Sequence, residues 1–167
     1  RGEFKNSRPD KPMVDVARWE RALNGRAVRV VHSVNDGLYG GESIIRWDKD
    51  AQQITFHYFT TAGFMTTGTM SIEGRKFTSV EKVTGTNGVT EVRSTSELRA
   101  DGTMLSTAEY RKDGKVTGSR EVLYLAVAVR VVAIDGALRV ADGEDGEGRG
   151  HDVDGGLERV REHRARL

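Results

Sequence analysis

Between Arg26 and Tyr124 one phrase recurs. A run rich in β-branched and aromatic residues is followed by a short turn built on Gly, Asp or Asn. The turns read Asn35-Asp36-Gly37, Asp48-Lys49-Asp50, Glu73-Gly74, Thr86-Asn87-Gly88, Asp101-Gly102 and Asp113-Gly114. Punctuation at this spacing constrains the chain to a mainly β fold, an antiparallel meander that closes into a barrel or folds into a sandwich. We place strands at 27–33, 38–47, 53–60, 65–72, 76–84, 89–98, 103–111 and 115–125. Hairpin-length turns between them predict an up-and-down barrel closed between the first and last of these strands.

Composition bounds the function more than it names it. A chain of 167 residues holds one core-forming domain with an appendage. Hydrophobic residues make up 37%, so either the core is thin or part of the chain is unpacked. Lys and Arg number 26 against 25 Asp and Glu, a net charge of +1 that creates no field for nucleic acid or an anionic membrane. With no cysteine there is no disulfide, thiolate metal site or Cys nucleophile. The compartment stays open, cytoplasm or export. No apolar run is long enough to predict a membrane span; the longest, 122–134, is interrupted by Arg130.

The ends differ from the middle. Residues 1–13 are polar and carry both prolines, Pro9 and Pro12. They read as a disordered leader, or as a vector-derived remnant at Gly2-Glu3-Phe4 standing in for a native start. The domain proper is expected over 14–125. It opens with a short helix at 15–23, because Asp15 suits an N-cap and Val16, Trp19 and Leu23 share one face at spacings of three and four. Asn24-Gly25 ends that helix, which plugs one mouth of the barrel with Trp19 packed against it. The stretch 126–167 forms an atypical tail without Ser, Thr, Lys, Asn, Gln or aromatic residues. Two readings of it stand: a strand over 125–134, a flexible acidic loop over 141–156 and a basic helix over 156–167, or sequence that is not native to the barrel.

Alternation sorts the strands into faces. In the second strand Ser43, Ile45 and Trp47 oppose Glu42, Ile44 and Arg46. In the third, Ile54, Phe56 and Tyr58 oppose Thr55, His57 and Phe59. In the fifth, Phe77, Ser79, Glu81 and Val83 oppose Lys76, Thr78, Val80 and Lys82. Several strands carry apolar residues on both faces, as an amphipathic interior or a partly wrapped barrel would require. A ligand-binding lining is expected from Ser43, Ile45 and Trp47 together with His57, Tyr58 and Phe59. This set joins apolar walls to a few polar anchors. His57 and Tyr58 cannot both point inward unless a bulge intervenes; our reading places His57 inside with Phe59. Tyr39, Tyr110 and Tyr124 are further phenol donors, and Glu81 and Arg120 are among the strand charges that would ionise the lining if they faced inward. Phe64 and Met65 sit among small residues at 60–65, a loop suited to a barrel mouth.

The Trp19–Gly25 segment, the hairpin from Ser33 to Gly41, the strand Ile44-Ile45-Arg46-Trp47-Asp48 and the aromatic strand Phe56-His57-Tyr58-Phe59 together resemble small bacterial lipocalin-like, calycin-type proteins over about residues 16–124. Asn24-Gly25-Arg26 carries Arg where the lipocalin Gly-x-Trp signature has Trp. The resemblance implies a cup-shaped barrel that takes a small apolar or amphipathic ligand.

No catalytic or cofactor motif is present: no Gly-x-Ser-x-Gly elbow, no phosphate loop, and no EF-hand spacing within the acidic 142–156 stretch. Catalytic residues, metal and cofactor are accordingly left unassigned. Three functions compete. The first is a binder of a small apolar molecule. The second is a lipocalin-like isomerase, cyclase or lyase with an interior His or Glu. The third is an interaction domain with a filled core. The oligomeric state is left open, a homodimer included.

Overall fold

The computed structural model describes residues 1–125, 129–134 and 137–142. Ten strands form one closed antiparallel barrel: β1 (Gly2–Phe4), β2 (Val14–Ala22), β3 (Ala27–Val34), β4 (Tyr39–Asp48), β5 (Gln53–Thr60), β6 (Met65–Glu73), β7 (Lys76–Thr84), β8 (Glu91–Leu98), β9 (Met104–Lys112) and β10 (Lys115–Tyr124). Each strand pairs with its successor from β2 to β10, and β1 bridges β10 and β2 to close the ring. The architecture is compatible with a calycin-type barrel. A further hairpin, β11 (Val129–Ile134) and β12 (Ala137–Asp142), lies outside the ring with β12 against β2, β3 and β4. Of the flexible loop expected over 141–156, residues 141 and 142 end β12; the rest of it and the basic helix expected over 156–167 fall outside the described residues.

The start of the chain departs from expectation. Apart from a 3-10 turn at Asn35–Gly37, no helix occurs among the described residues. The segment read as a helix is β2. Its Val16, Trp19 and Leu23 fit a helical period, but Asp15, Ala17 and Trp19 also fit the period of two, and pairing with β3 from Asp15↔Val34 to Ala22↔Ala27 decides the matter. Leu23 and Asn24 take left-handed backbone angles (φ 50° and 54°), with Gly25 at φ 81°, so the segment ends in a hairpin rather than a helix cap. Gly2–Phe4, read as part of a disordered leader, is a barrel strand. Closure therefore runs through β1 and β2 instead of joining β3 directly to β10.

Register fixes the faces. Pairs directly opposite one another share a face, so one circuit of inner positions reads Trp47, Ile54, Met70, Ser79, Ser94, Ala108 and Arg120. The wall of β3–β6 is apolar: Val28, Ile45, Ile54 and Phe56 are buried, and Trp19, Val30, Trp47, Met70 and Ile72 pack on them. The wall of β7–β9 carries a small, hydroxylated stretch of Ser79, Ser94, Ser96, Ser106 and Ala108, with Phe77, Val83, Val92, Met104 and Tyr110 on the same inner face. A second apolar cluster of Val83, Val92 and Ala108, with Phe64, Val89 and Tyr110, stands beyond the polar residues.

Candidate functional site

The inner face of the barrel carries a chain of titratable groups drawn from β2, β3, β4, β5 and β10. Asp15 is the anchor: it is 2% exposed, yet it is a carboxylate on the second residue of a strand. His32 Nδ1 lies 2.9 Å from Asp15 Oδ1, and Tyr124 Oη donates to Asp15 Oδ2. On its other side His32 Nε2 meets the Tyr58 hydroxyl at 2.7 Å, and that hydroxyl meets the Tyr39 hydroxyl at 2.7 Å. The His32 ring stands edge-on to Tyr39 (centroids 5.8 Å apart, 64° between planes), and Tyr39 stacks on Phe64 at 6.4 Å.

These contacts define protonation. Burial opposes charge on Asp15, but the hydrogen bonds from His32 and Tyr124 and the charge of Arg120 outweigh it and hold the carboxyl below its ordinary 3.8. An ionised Asp15 requires a proton on His32 Nδ1, so in the neutral ring Nε2 accepts from Tyr58, whose oxygen in turn accepts from Tyr39. Burial raises the phenol pKa values of Tyr39, Tyr58 and Tyr124, which keeps all three as donors. With a neutral ring the run is directional, Tyr39 to Tyr58 to His32 to Asp15; with a protonated ring Nε2 donates to Tyr58 and Tyr58 to Tyr39.

Strand glycines create room for the rings. A Cβ on Gly2 would stand 2.6 Å from the Tyr124 ring, and a Cβ on Gly68 would stand 2.7 Å from the Phe56 ring. A Cβ on Gly41 would overlap the Tyr58 ring and the Phe59 carbonyl. Each aromatic thus lies across a glycine of a nearby strand, which fixes where its tip reaches.

Two charged groups complete the lining. Glu81, on the inner face of β7, accepts from Thr66 Oγ1 at 2.8 Å. Burial pushes its pKa up from the ordinary 4.5 against the pull of Thr66, Arg120, Ser79 and Ser94. Arg120, on the inner face of β10, stands among Tyr110, Tyr124, Asp15 and Tyr58; burial works against its charge and these groups restore it.

The residues expected to line a ligand site divide between the faces. Ser43, Ile45, Trp47 and Tyr58 are inner: Ser43 is opposite Tyr58, Ile45 opposite Phe56, and Trp47 opposite Ile54. His57 and Phe59 are outer and exposed. That corrects the inward placement of His57, since no bulge interrupts β5 and Tyr58 takes the inward parity. On the outside His57 borders a surface groove of about 510 Å³ with Arg46, Thr55, Thr67, Val80 and Lys82. Asp15 and His32 were the two members of the inner chain absent from the sequence-based lining. The available signal for Asp15 was its parity with Ala17 and Trp19, hidden by the helical reading. For His32 it was its parity with Val28 and Val30.

The chain matches no protein-family model and no curated protein.

Proposed function

We propose that this barrel binds a small, partly apolar molecule in its interior, as small bacterial lipocalin-like proteins would by resemblance. One observation carries the reading: beside the buried Val28, Ile45, Ile54, Phe56, Ala108 and Val122, part of the inner face is half-buried instead of sealed. Val30, Ser43, Trp47, Tyr58, Met70, Ser79, Ser94, Ser96 and Ser106 all face inward and all keep intermediate exposure. Around the circuit the large Trp47, Ile54 and Met70 give way to Ser79, Ser94 and Ala108, a stretch of inner wall with little side-chain volume. The apolar wall with Trp19, Trp47 and Phe56 suits a hydrophobic body, and the hydroxyl wall suits a polar end.

The test is a pair of filling variants, Ser79→Leu and Ser94→Leu. Apolar fluorescent probes are titrated into each, and unfolding is followed in parallel. An open interior accepts the added side chains with unchanged stability and loses probe affinity. A packed interior instead costs about 1–3 kcal/mol of overpacking, and probe binding, if any, is unaltered; that result sinks the reading.

A proton-transfer enzyme is the second reading, favoured by the Tyr39–Tyr58–His32–Asp15 run, in which a fixed imidazole tautomer can pass a proton through Tyr58. Deuterium exchange next to the carbonyl in a panel of ketones, followed by NMR, tests it. Exchange lost in His32→Asn supports the reading, and exchange equal to that of buffer removes it.

A further inference from the structure

We propose that the outer groove beside His57 is a second binding site, one that takes the phosphate group of a small phosphate ester. It lies on the far side of the wall from the barrel interior, so it stands or falls apart from interior binding. Its donors come from four neighbouring strands in register. In one row His57 on β5 is opposite Thr67 on β6, and Thr67 is opposite Lys82 on β7. In the next row Arg46 on β4 is opposite Thr55, Thr55 is opposite Thr69, and Thr69 is opposite Val80. These residues line one depression of about 510 Å³.

The groove holds unmet hydrogen-bonding capacity. Thr55 Oγ1 is buried and has no hydrogen-bond partner among the described residues. A buried hydroxyl left unpaired costs free energy, and the oxygen of a bound anion would accept from it. The side chains of His57, Thr67, Thr69 and Lys82 make no hydrogen bond or ion pair among the described residues either. Arg46 has only long contacts, 3.4 Å to Asp48 and 3.5 Å to the Trp47 carbonyl, which a better acceptor would displace. The carboxylates at the rim are committed. Asp48 accepts from the backbone N–H groups of Asp50 and Ala51, and Glu91 accepts from Arg93 at 2.7 Å. Neighbouring strands stand about 4.8 Å apart, so His57 and Lys82 flank Thr67 from both sides while Arg46 reaches in from the next row. A tetrahedral group with three or four oxygens meets donors that converge from several sides; a planar carboxylate with two oxygens satisfies fewer of them. The depression exceeds what one phosphate fills, and the exposed Val80 gives the organic part of the ester an apolar rest.

The probe is phenyl phosphate, titrated at low ionic strength because salt screens exposed donors. NMR signals of the His57 ring and the Val80 methyls should shift and saturate while those of Val30 and Met70 stay in place. Lys82→Gln should weaken the probe about tenfold, the scale of a hydrogen bond between charged groups. Thr55→Val should weaken it about fivefold yet melt no lower than wild type, because the hydroxyl it removes has no partner in the free protein. A lower melting temperature would show that hydroxyl to be bonded already and overturn its role. Benzoate binding as tightly as phenyl phosphate overturns the phosphate assignment, and inorganic phosphate binding as tightly overturns the ester. Unmoved His57 and Val80 signals, or an affinity untouched by Lys82→Gln, overturn the site. Shifts at Val30 and Met70 instead would put phenyl phosphate inside the barrel, which overturns this proposal and leaves interior binding in place.

Discussion

Asp15→Ala is the substitution whose effect follows most directly from the inner chain. Strand β1 contributes only three residues between β10 and β2, so the barrel closes over a short and weakly paired seam. The bond from Tyr124 to Asp15 spans that seam, and His32 ties Asp15 to β3. Alanine removes two hydrogen bonds to a charged acceptor and leaves the Tyr124 hydroxyl without its partner. Part of the loss is regained, because the buried carboxylate no longer has to be desolvated and His32 can change tautomer. The net cost should be about 3 kcal/mol, a fall in Tm of roughly 6–12 °C for a chain of this size. Asp15→Asn keeps one acceptor and should lose about half as much. Thermal unfolding followed by circular dichroism at pH 7, with urea unfolding to confirm an unchanged m-value, measures both. The pH dependence carries a sign. The folded-state pKa of Asp15 is lowered, so its contribution is fully present above about pH 4 and is lost as pH falls through the folded value, below the ordinary 3.8. The gap between wild type and Asp15→Ala should therefore narrow in strong acid. A variant that melts within a degree of wild type at pH 7 would refute the claim that this carboxylate holds the seam.

Glu81 runs the other way: its pKa is raised, so ionising it costs stability as pH rises through the folded value. Glu81→Gln should thus gain on wild type in melting temperature between pH 4 and pH 8, and a gain independent of pH would contradict the burial argument. Gly41→Ala collides with the Tyr58 ring and the Phe59 carbonyl; it should lower stability and displace the Tyr58 hydroxyl from His32, visible as a shift of the His32 ring nitrogens in NMR. Phe56→Ala removes a ring that is 6% exposed from the apolar wall and should cost about 3–5 kcal/mol in urea unfolding. A cost under 1 kcal/mol would mean that the ring is not packed.

Much of the barrel was legible because turn residues punctuate it. The predicted strand 53–60 coincides with β5, and 76–84 with β7; other ends move by one or two residues. The first two strands were not legible, for a physical reason. β1 is too short to show alternation, and Val14–Ala22 satisfies both periods, so only its partners decide. The predicted face of Phe77, Ser79, Glu81 and Val83 proved to be the inner one. On β5 the attraction of a lone mid-strand histidine misled the reading. Ile54 and Phe56 share parity with Tyr58, and that apolar face was the better guide to the interior. Arg120 and Glu81 could be named as strand charges, but the reach of the Arg120 charge to both Glu81 and Asp15 depends on the closed ring, which no local pattern contains.

Binding inside the barrel is tested most directly by methyl NMR during titration with one of the apolar fluorescent probes. Val30, Ile45 and Met70 face the interior, whereas Val16 lies exposed on the outer surface and Val80 borders the outer groove. The account predicts that the inner methyl signals move and saturate together while Val16 and Val80 stay in place. Saturating shifts at Val80 with Val30 and Met70 unmoved would place the ligand in the outer groove and contradict it.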